Sequence, residues 1–517
     1  MEADRAAARE HARVAARRLA ESAHVAAMES LMKALELAPD EALYWAQFAD
    51  LAQYFKLRHP TDPRLADLLR RALEHPAVDP GSLVRPITSL ALSRSTPLRD
   101  DALLLRLLEE TVVREPGVEE PLVAARASAL ARFKTEAALP MRALVAIAHQ
   151  CFNTEYVFAE TPEETERVRE LERAIAATKD VPEHWYGTYA AYRPLSSLPN
   201  AEHAAPASLV RRQILEPREE QRLGAAMPAL GASSDAVSAS VRAQYESNPY
   251  PRWIRMQSVF ETGTLAEILR ELYPSADLGG LPEGPVRILV AGCGTGQNAI
   301  ATALRFHASR LLAIDLSRAS LGYAQRKTLE LGVANIEYAQ ADLLGLSGLT
   351  ERFDYIECSG VLHHLADPLG GWRALASLLA PGGVMRVGLY SEAGRRHVAR
   401  ARELIAERGF QPTADGIRAC RAAIRARGDD PLLARFARSE DFYSMSGCRD
   451  LLFHVQEHRY TLPQISAMLE ALGFAFLGFE LADGSARALD LGHWHRHEQS
   501  HPDTFSRMYE FWVRARG

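Results

Sequence analysis

Lysine is scarce in this chain. It stands only at positions 33, 56, 134, 179 and 327, so nearly all of the 60 basic residues are arginine. Against 66 acidic residues the net charge is −6, which argues against a nucleic-acid grip by the protein as a whole. The five cysteines (151, 293, 358, 420 and 448) are odd in number, scattered and without a CxxC pair. That pattern excludes a disulfide framework and a thiolate zinc site. No run approaches the roughly 18 apolar residues of a transmembrane helix. The Arg-rich N-terminal stretch is broken by Glu2, Asp4, Glu10 and Glu21 and has no apolar centre. A targeting peptide is therefore not expected, and the cytoplasm is the expected compartment. What remains, 517 residues with 47% hydrophobic and 24% charged side chains, is a globular chain of two to four domains at roughly 100–200 residues each.

Residues 1–185 read as helix after helix. Leu31, Leu35, Leu43, Phe48 and Leu51 recur at helical spacing, as do Leu65, Leu68, Leu69 and Leu73, then Leu103, Leu104, Leu107 and Leu108. Segment 33–49 resembles the junction between tetratricopeptide repeats, though no 34-residue period continues from it. An Ala, Pro, Ser and Gly-rich stretch over 186–240 reads as a linker, and 241–285 as an arm. From 286 strands and helices alternate: 286–292, 310–315, 335–342, 353–360 and 383–390 are the strand candidates, with helices at 297–306, 317–331 and 369–379. Such alternation predicts a parallel sheet with crossover helices. A helical insertion over about 391–460 precedes a helix at 462–472 and strands at 474–481 and 508–515.

Gly292, Gly294 and Gly296 fall between the first strand and a helix, where glycine permits a tight turn and a close approach to a ligand. A dinucleotide fingerprint would place its third glycine at 297, which is Gln. Asp315 ends the second strand, a position suited to ribose hydroxyls in either kind of site. Asp342 ends the third, where a carboxylate can receive an adenine amino group.

Five stretches together, VAGCGTG (290–296), AID (313–315), AD (341–342), FDYIECSGVLHHLADP (353–368) and LLAPGGV (378–384), resemble the class I S-adenosylmethionine-dependent methyltransferases. The resemblance implies an α/β Rossmann-like domain over 286–517 with a seven-stranded sheet, and S-adenosylmethionine as cofactor. By the same resemblance Gly292, Gly294 and Gly296 approach the methionine moiety, Asp315 binds the ribose, Asp342 with Leu343 flanks the adenine, and Cys293 and Leu316 are further cofactor-binding residues. Cys358, Ser359 and Gly360 lie where cofactor and acceptor meet. QCFNTEYVF (150–158), YESNPYPRW (245–253) and 442–465 resemble bacterial proteins that join tetratricopeptide-like helices to such a domain. Tyr245 is expected to cap the cofactor, with Tyr250 and Trp253 near the substrate.

His363 and His364 follow the fourth strand and are the expected catalytic residues, able to take a proton from the acceptor. His454-Val-Gln-Glu-His458 spells the inverted zincin pattern. A metal-dependent hydrolase is the competing reading; the preferred one gives these histidines to the substrate side of a lid and expects no metal. Arg418, Arg421 and Arg425 share one helical face, read as solvated rather than as an RNA contact. The expected activity is methyl transfer to an N or O acceptor, with a protein or peptide favoured through the helical half. Small-molecule or RNA acceptors, and a non-catalytic nucleotide-binding protein, are the alternatives. No membrane partner is expected, and oligomeric state is not legible.

Overall fold

The computed structural model describes residues 2–94, 96–231, 236–481, 490–506 and 508–516. The chain forms two compact units: one of 1–218, 252–260 and 440–445, the other of 219–251, 261–439 and 446–517.

The first unit is helical, as its apolar spacing predicts. Leu31, Leu35, Phe48, Leu51, Leu68, Leu69, Leu73, Leu104, Leu107 and Leu108 are all buried. Asp62, Asp101 and Thr161 cap helices Pro63–Glu74, Ala102–Glu110 and Pro162–Ala177 by accepting backbone N–H groups of their first turns. The first ten α-helices run from 8 to 19 residues. Segment 186–240 differs from the expected linker. Helices Glu183–Ala190, Ala207–Val210 and Glu216–Ala225 bury Tyr186, Tyr189, Leu209 and Leu223. Two of its prolines, Pro194 and Pro206, sit just before helical turns, where a missing N–H costs nothing; positions 232–235 lie outside the described residues. Segment 252–260 also belongs to this unit. Arg255 donates to the carbonyls of Leu73 (2.8 Å) and His75 (2.5 Å), at the end of helix Pro63–Glu74, and pairs with Glu110 at 3.3 Å. The arm expected over 241–285 is therefore divided at 251.

The second unit holds one sheet: β1 (Ala229–Leu230), β2 (Arg287–Ala291), β3 (Arg310–Asp315), β4 (Ile336–Ala341), β5 (Phe353–Ser359), β6 (Leu379–Tyr390), β7 (Phe474–Phe479) and β8 (Met508–Ala515). Their order is β1-β4-β3-β2-β5-β6-β8-β7, parallel through β6, with β8 antiparallel to both β6 and β7. The expected seven strands are all present. The eighth, β1, is a two-residue edge beside Gln340 and Ala341. The central strands are continuous apolar runs because both faces are covered. Leu289, Ala291, Ile356, Met385 and Val387 face one apolar cluster, and Ile288, Val290, Tyr355 and Val384 face the other.

Candidate functional site

Four loops leave the carboxyl ends of β2, β3, β4 and β5. Gly292, Gly294 and Gly296 have φ of +74°, +53° and +85°, a region that only glycine enters freely. Protein fills the space a Cβ would take at each: Val361 Cγ2 at 2.2 Å, the Tyr250 carbonyl oxygen at 2.7 Å and Ala324 Cβ at 2.6 Å. At all three positions glycine is required because protein closes in where a side chain would stand. Gly360 (φ +77°) has nothing within 4 Å of that position. It opens onto free space.

Asp315 ends β3 and is half-exposed. Its carboxylate accepts the N–H of Gly294 (2.8 Å) and of Ser317 (2.9 Å). Burial raises its pKa while these bonds pull the other way. With two lone pairs left over, it still fits a pair of hydroxyls. Asp342 is buried and caps the turn Leu343–Gly348 by accepting Leu344 N–H. Leu343 is in the core, the Leu316 carbonyl accepts from Gln340, and the Cys293 thiol is buried, its pKa pushed well up. Ser359 Oγ donates to Glu510 at 3.4 Å.

The arm 245–251 clasps this end of the sheet. Glu246 accepts the N–H groups of Arg318 (2.6 Å) and Ala319 (3.2 Å), capping helix Arg318–Glu330 with charge at its positive end. Asn248 accepts from Arg449 at 2.8 Å, and Thr295 donates to the Pro251 carbonyl. Tyr245 O–H donates to Asp450 at 2.5 Å and lies 3.4 Å from His454 Nε2. Of the expected arm residues, Tyr245 and Tyr250 reach this region. Trp253 is buried but falls in the helical unit.

The histidines do not form the helical zinc motif. Helix Met445–Phe453 stops before His454 because Gln456 N–H bonds His454 Nδ1 (3.2 Å) in place of a carbonyl one turn back. His458 Nε2 instead meets the Leu365 carbonyl at 3.1 Å, and Glu457 is buried in ion pairs with Arg395 and, at 3.0 Å, Arg402. Glu457 is thus not placed to polarise a metal-bound water, and the HxxEH pattern behind the hydrolase reading does not form the zincin helix. His454 stacks on His364, ring centroids 3.6 Å apart, and His364 Nδ1 donates to the Gln456 carbonyl at 2.7 Å. Burial holds His364 far below its ordinary pKa and His454 at about 4, and pushes Asp450 up to about 6. His363, fully buried, lies 3.6 Å from the Tyr390 ring with neither ring nitrogen hydrogen-bonded. One ring nitrogen each of His364 and His454 and one Asp450 oxygen lie within 4.8 Å of one another. Asp450 went unremarked in the sequence, although it stands one helical turn before His454.

The arginine stripe is not a free face, since Arg421 is buried and Arg418 pairs with Asp415 at 2.9 Å. No described helix is long and apolar enough to cross a membrane.

Residues 289–385 match the family described as "Methyltransferase domain". An uncharacterized protein of Synechococcus sp. is 35% identical over 274 residues, 50% of this chain and 62% of that one. A ubiquinone biosynthesis O-methyltransferase of Alkalilimnicola ehrlichii is 40% identical over 116 residues, 22% and 45% of the two chains. The chain thus spans about half the length of these relatives. Among solved structures, PKMT2 from Rickettsia typhi with AdoHcy is similar at a TM-score of 0.37, with 18% identity over 52% of this chain and 54% of that one. Magnesium protoporphyrin IX methyltransferase of Synechocystis PCC 6803 with bound SAM gives 0.29, with 13% identity over 56% and 100%. By its family match and its glycine, aspartate and histidine loops, the second unit contains a class I S-adenosylmethionine-dependent methyltransferase domain.

Proposed function

We propose that the protein transfers a methyl group from S-adenosylmethionine to an oxygen or nitrogen acceptor. S-adenosylmethionine supplies an electrophilic methyl; the chain's own residues hold the reactants and move the proton. Asp315 and the glycine loop hold the nucleoside side, and Gly360 leaves room at the end of β5. One observation carries the reading: His364, just past β5, has its Nδ1–H tied to the Gln456 carbonyl at 2.7 Å. Its Nε2 is therefore a lone pair able to accept a proton from the acceptor. His363 backs this site through its stacking on Tyr390.

We favour a protein or peptide as the carrier of the acceptor. The helical unit has a cleft of about 1020 Å³ lined by Arg70, Arg94, Arg106 and Arg142 with Glu74 and Asp101, roomy enough for a stretch of polar chain. A small-molecule acceptor is the second reading, supported by the ubiquinone biosynthesis O-methyltransferases that align over the domain. Calorimetry tests the cofactor assignment. Asp315→Asn keeps an acceptor for the loop but loses the charge, and is expected to weaken S-adenosylmethionine binding about tenfold. Tight NADH binding with none of S-adenosylmethionine would sink the reading.

A further inference from the structure

The backbone of one residue, Gln456, sets the state of two stacked imidazoles through its N–H and its carbonyl. The Gln456 carbonyl can only accept, so His364 Nδ1 carries the proton and His364 Nε2 is bare. The Gln456 N–H can only donate, so His454 Nδ1 is bare and, in the neutral ring, His454 Nε2 carries the proton. The two rings, 3.6 Å apart and 20° from parallel, are thereby fixed in opposite tautomers: one offers a lone pair, the other an N–H. The nearest partner of that N–H is Tyr245 Oη at 3.4 Å, longer than a full-strength bond, while the Tyr245 proton is committed to Asp450.

From this pairing we infer that the acceptor is a hydroxyl, an alcohol or a phenol, and that the product is a methyl ether. The inference rests on the proposed methyl transfer. A hydroxyl has one proton to give His364 Nε2 and two lone pairs, one to receive the His454 N–H and one to attack. A neutral amine has a single lone pair, so accepting from His454 would disarm it. A carboxylate has no proton for His364. In the reaction the oxygen lone pair forms the new O–CH₃ bond and the S–CH₃ electrons stay on sulfur, giving S-adenosylhomocysteine. The hydroxyl proton ends on His364 Nε2. His364, Asp450 and His454 also look like a two-histidine, one-carboxylate metal set. Opposite tautomers oppose that use, because an Nε2 bearing a proton cannot ligate. A bound hydroxyl uses both rings as they stand.

Two measurements on the full chain test this. In protein carrying nitrogen-15 histidine, two-bond correlation spectra report each tautomer, assigned through His364→Gln and His454→Gln. We expect Nδ1–H at His364 and Nε2–H at His454, both neutral at pH 7. The same tautomer in both rings overturns the inference. So does stoichiometric zinc or iron that is lost in Asp450→Asn. Turnover of S-adenosylmethionine is then followed with isosteric probe pairs, phenol with aniline and benzyl alcohol with benzylamine. Methylation of the hydroxyl members, with kcat falling about a hundredfold in His364→Gln while cofactor affinity holds, supports the inference. Methylation of the amines overturns it and leaves the methyltransferase reading intact, whereas failure to bind S-adenosylmethionine overturns that reading itself.

Discussion

The glycine loop at 292–296 and the segment 445–460 both shape the carboxyl end of the sheet, by opposite means. The loop works through backbone. Its glycines let Val361, Tyr250 and Ala324 close in, and it ties down Asp315 through the Gly294 N–H, with the Ser317 N–H on the other oxygen. The second segment works through charge and imidazole: Glu457 sits between Arg395 and Arg402, and His454, His364, Tyr245 and Asp450 form one buried polar group. A backbone loop fails by steric strain at one residue. A buried polar network fails when any partner is lost, because the groups left behind are far from water. Mutation should therefore separate the two.

The largest effect is expected in the charged segment. Arg395 and Glu457 have side chains only 5% and 3% exposed. Arg395→Met leaves Glu457 buried with Arg402 as its remaining ion-pair partner, and removing one member of a buried pair costs about 3–5 kcal/mol. Chemical denaturation of the full chain should show that loss in the transition of the second unit. Glu457→Gln together with Arg395→Met should recover much of it; if the double variant is no better than the single, the pair is not what holds this segment. In the loop, Gly294→Ala puts a methyl 2.7 Å from the Tyr250 oxygen at a φ of +53°, a strain of about 1–3 kcal/mol. The arm is expected to lift, so S-adenosylmethionine affinity should fall more than melting temperature does. Unchanged affinity would show that the arm does not serve the cofactor.

The same contrast explains what could be read in advance. The glycine loop, Asp315 and the strands around them were legible because their signals are local. Asp315 meets Gly294 across adjacent strand ends, and a parallel sheet forces that neighbourhood. The helical character of 1–185 was legible for the same reason. The histidine site was not, because Tyr245 finds Asp450 at 205 positions along the chain and His364 finds Gln456 at 92. One of its decisive partners is a peptide group, which carries no side-chain signal. The HxxEH spelling, the competing reading, presumes a helix, and the helix ends at Phe453, where Gln456 N–H bonds His454 instead. Segment 186–240 misled through composition: its alanines suit helices, and Pro194 and Pro206 stand just before helical turns.

The smallest predicted effect concerns pH, and its sign follows from which form burial favours. His454 is held at about 4 against an ordinary 6.5, so the folded state resists a proton that the unfolded chain accepts. Its contribution is present above pH 6.5 and is lost as pH falls toward 4. His363 and His364 are depressed by burial in the same direction. Asp450, raised to about 6 from 3.8, acts oppositely: its protonated form favours the fold, so on acidification it offsets part of the loss. Arg395 and Arg402 face the cluster as cations and Glu457 as their counter-charge. Between pH 7.5 and 6 each depressed histidine should cost about 0.8 kcal/mol. His454→Gln removes one such titration and should flatten the slope of stability against pH by that amount, whatever it does to stability at pH 7.5. Denaturation curves at the two pH values, wild type against variant, measure the difference. A variant with the wild-type slope would mean that His454 already carries its charge in the folded protein, and that the two imidazoles are not held in opposite neutral tautomers.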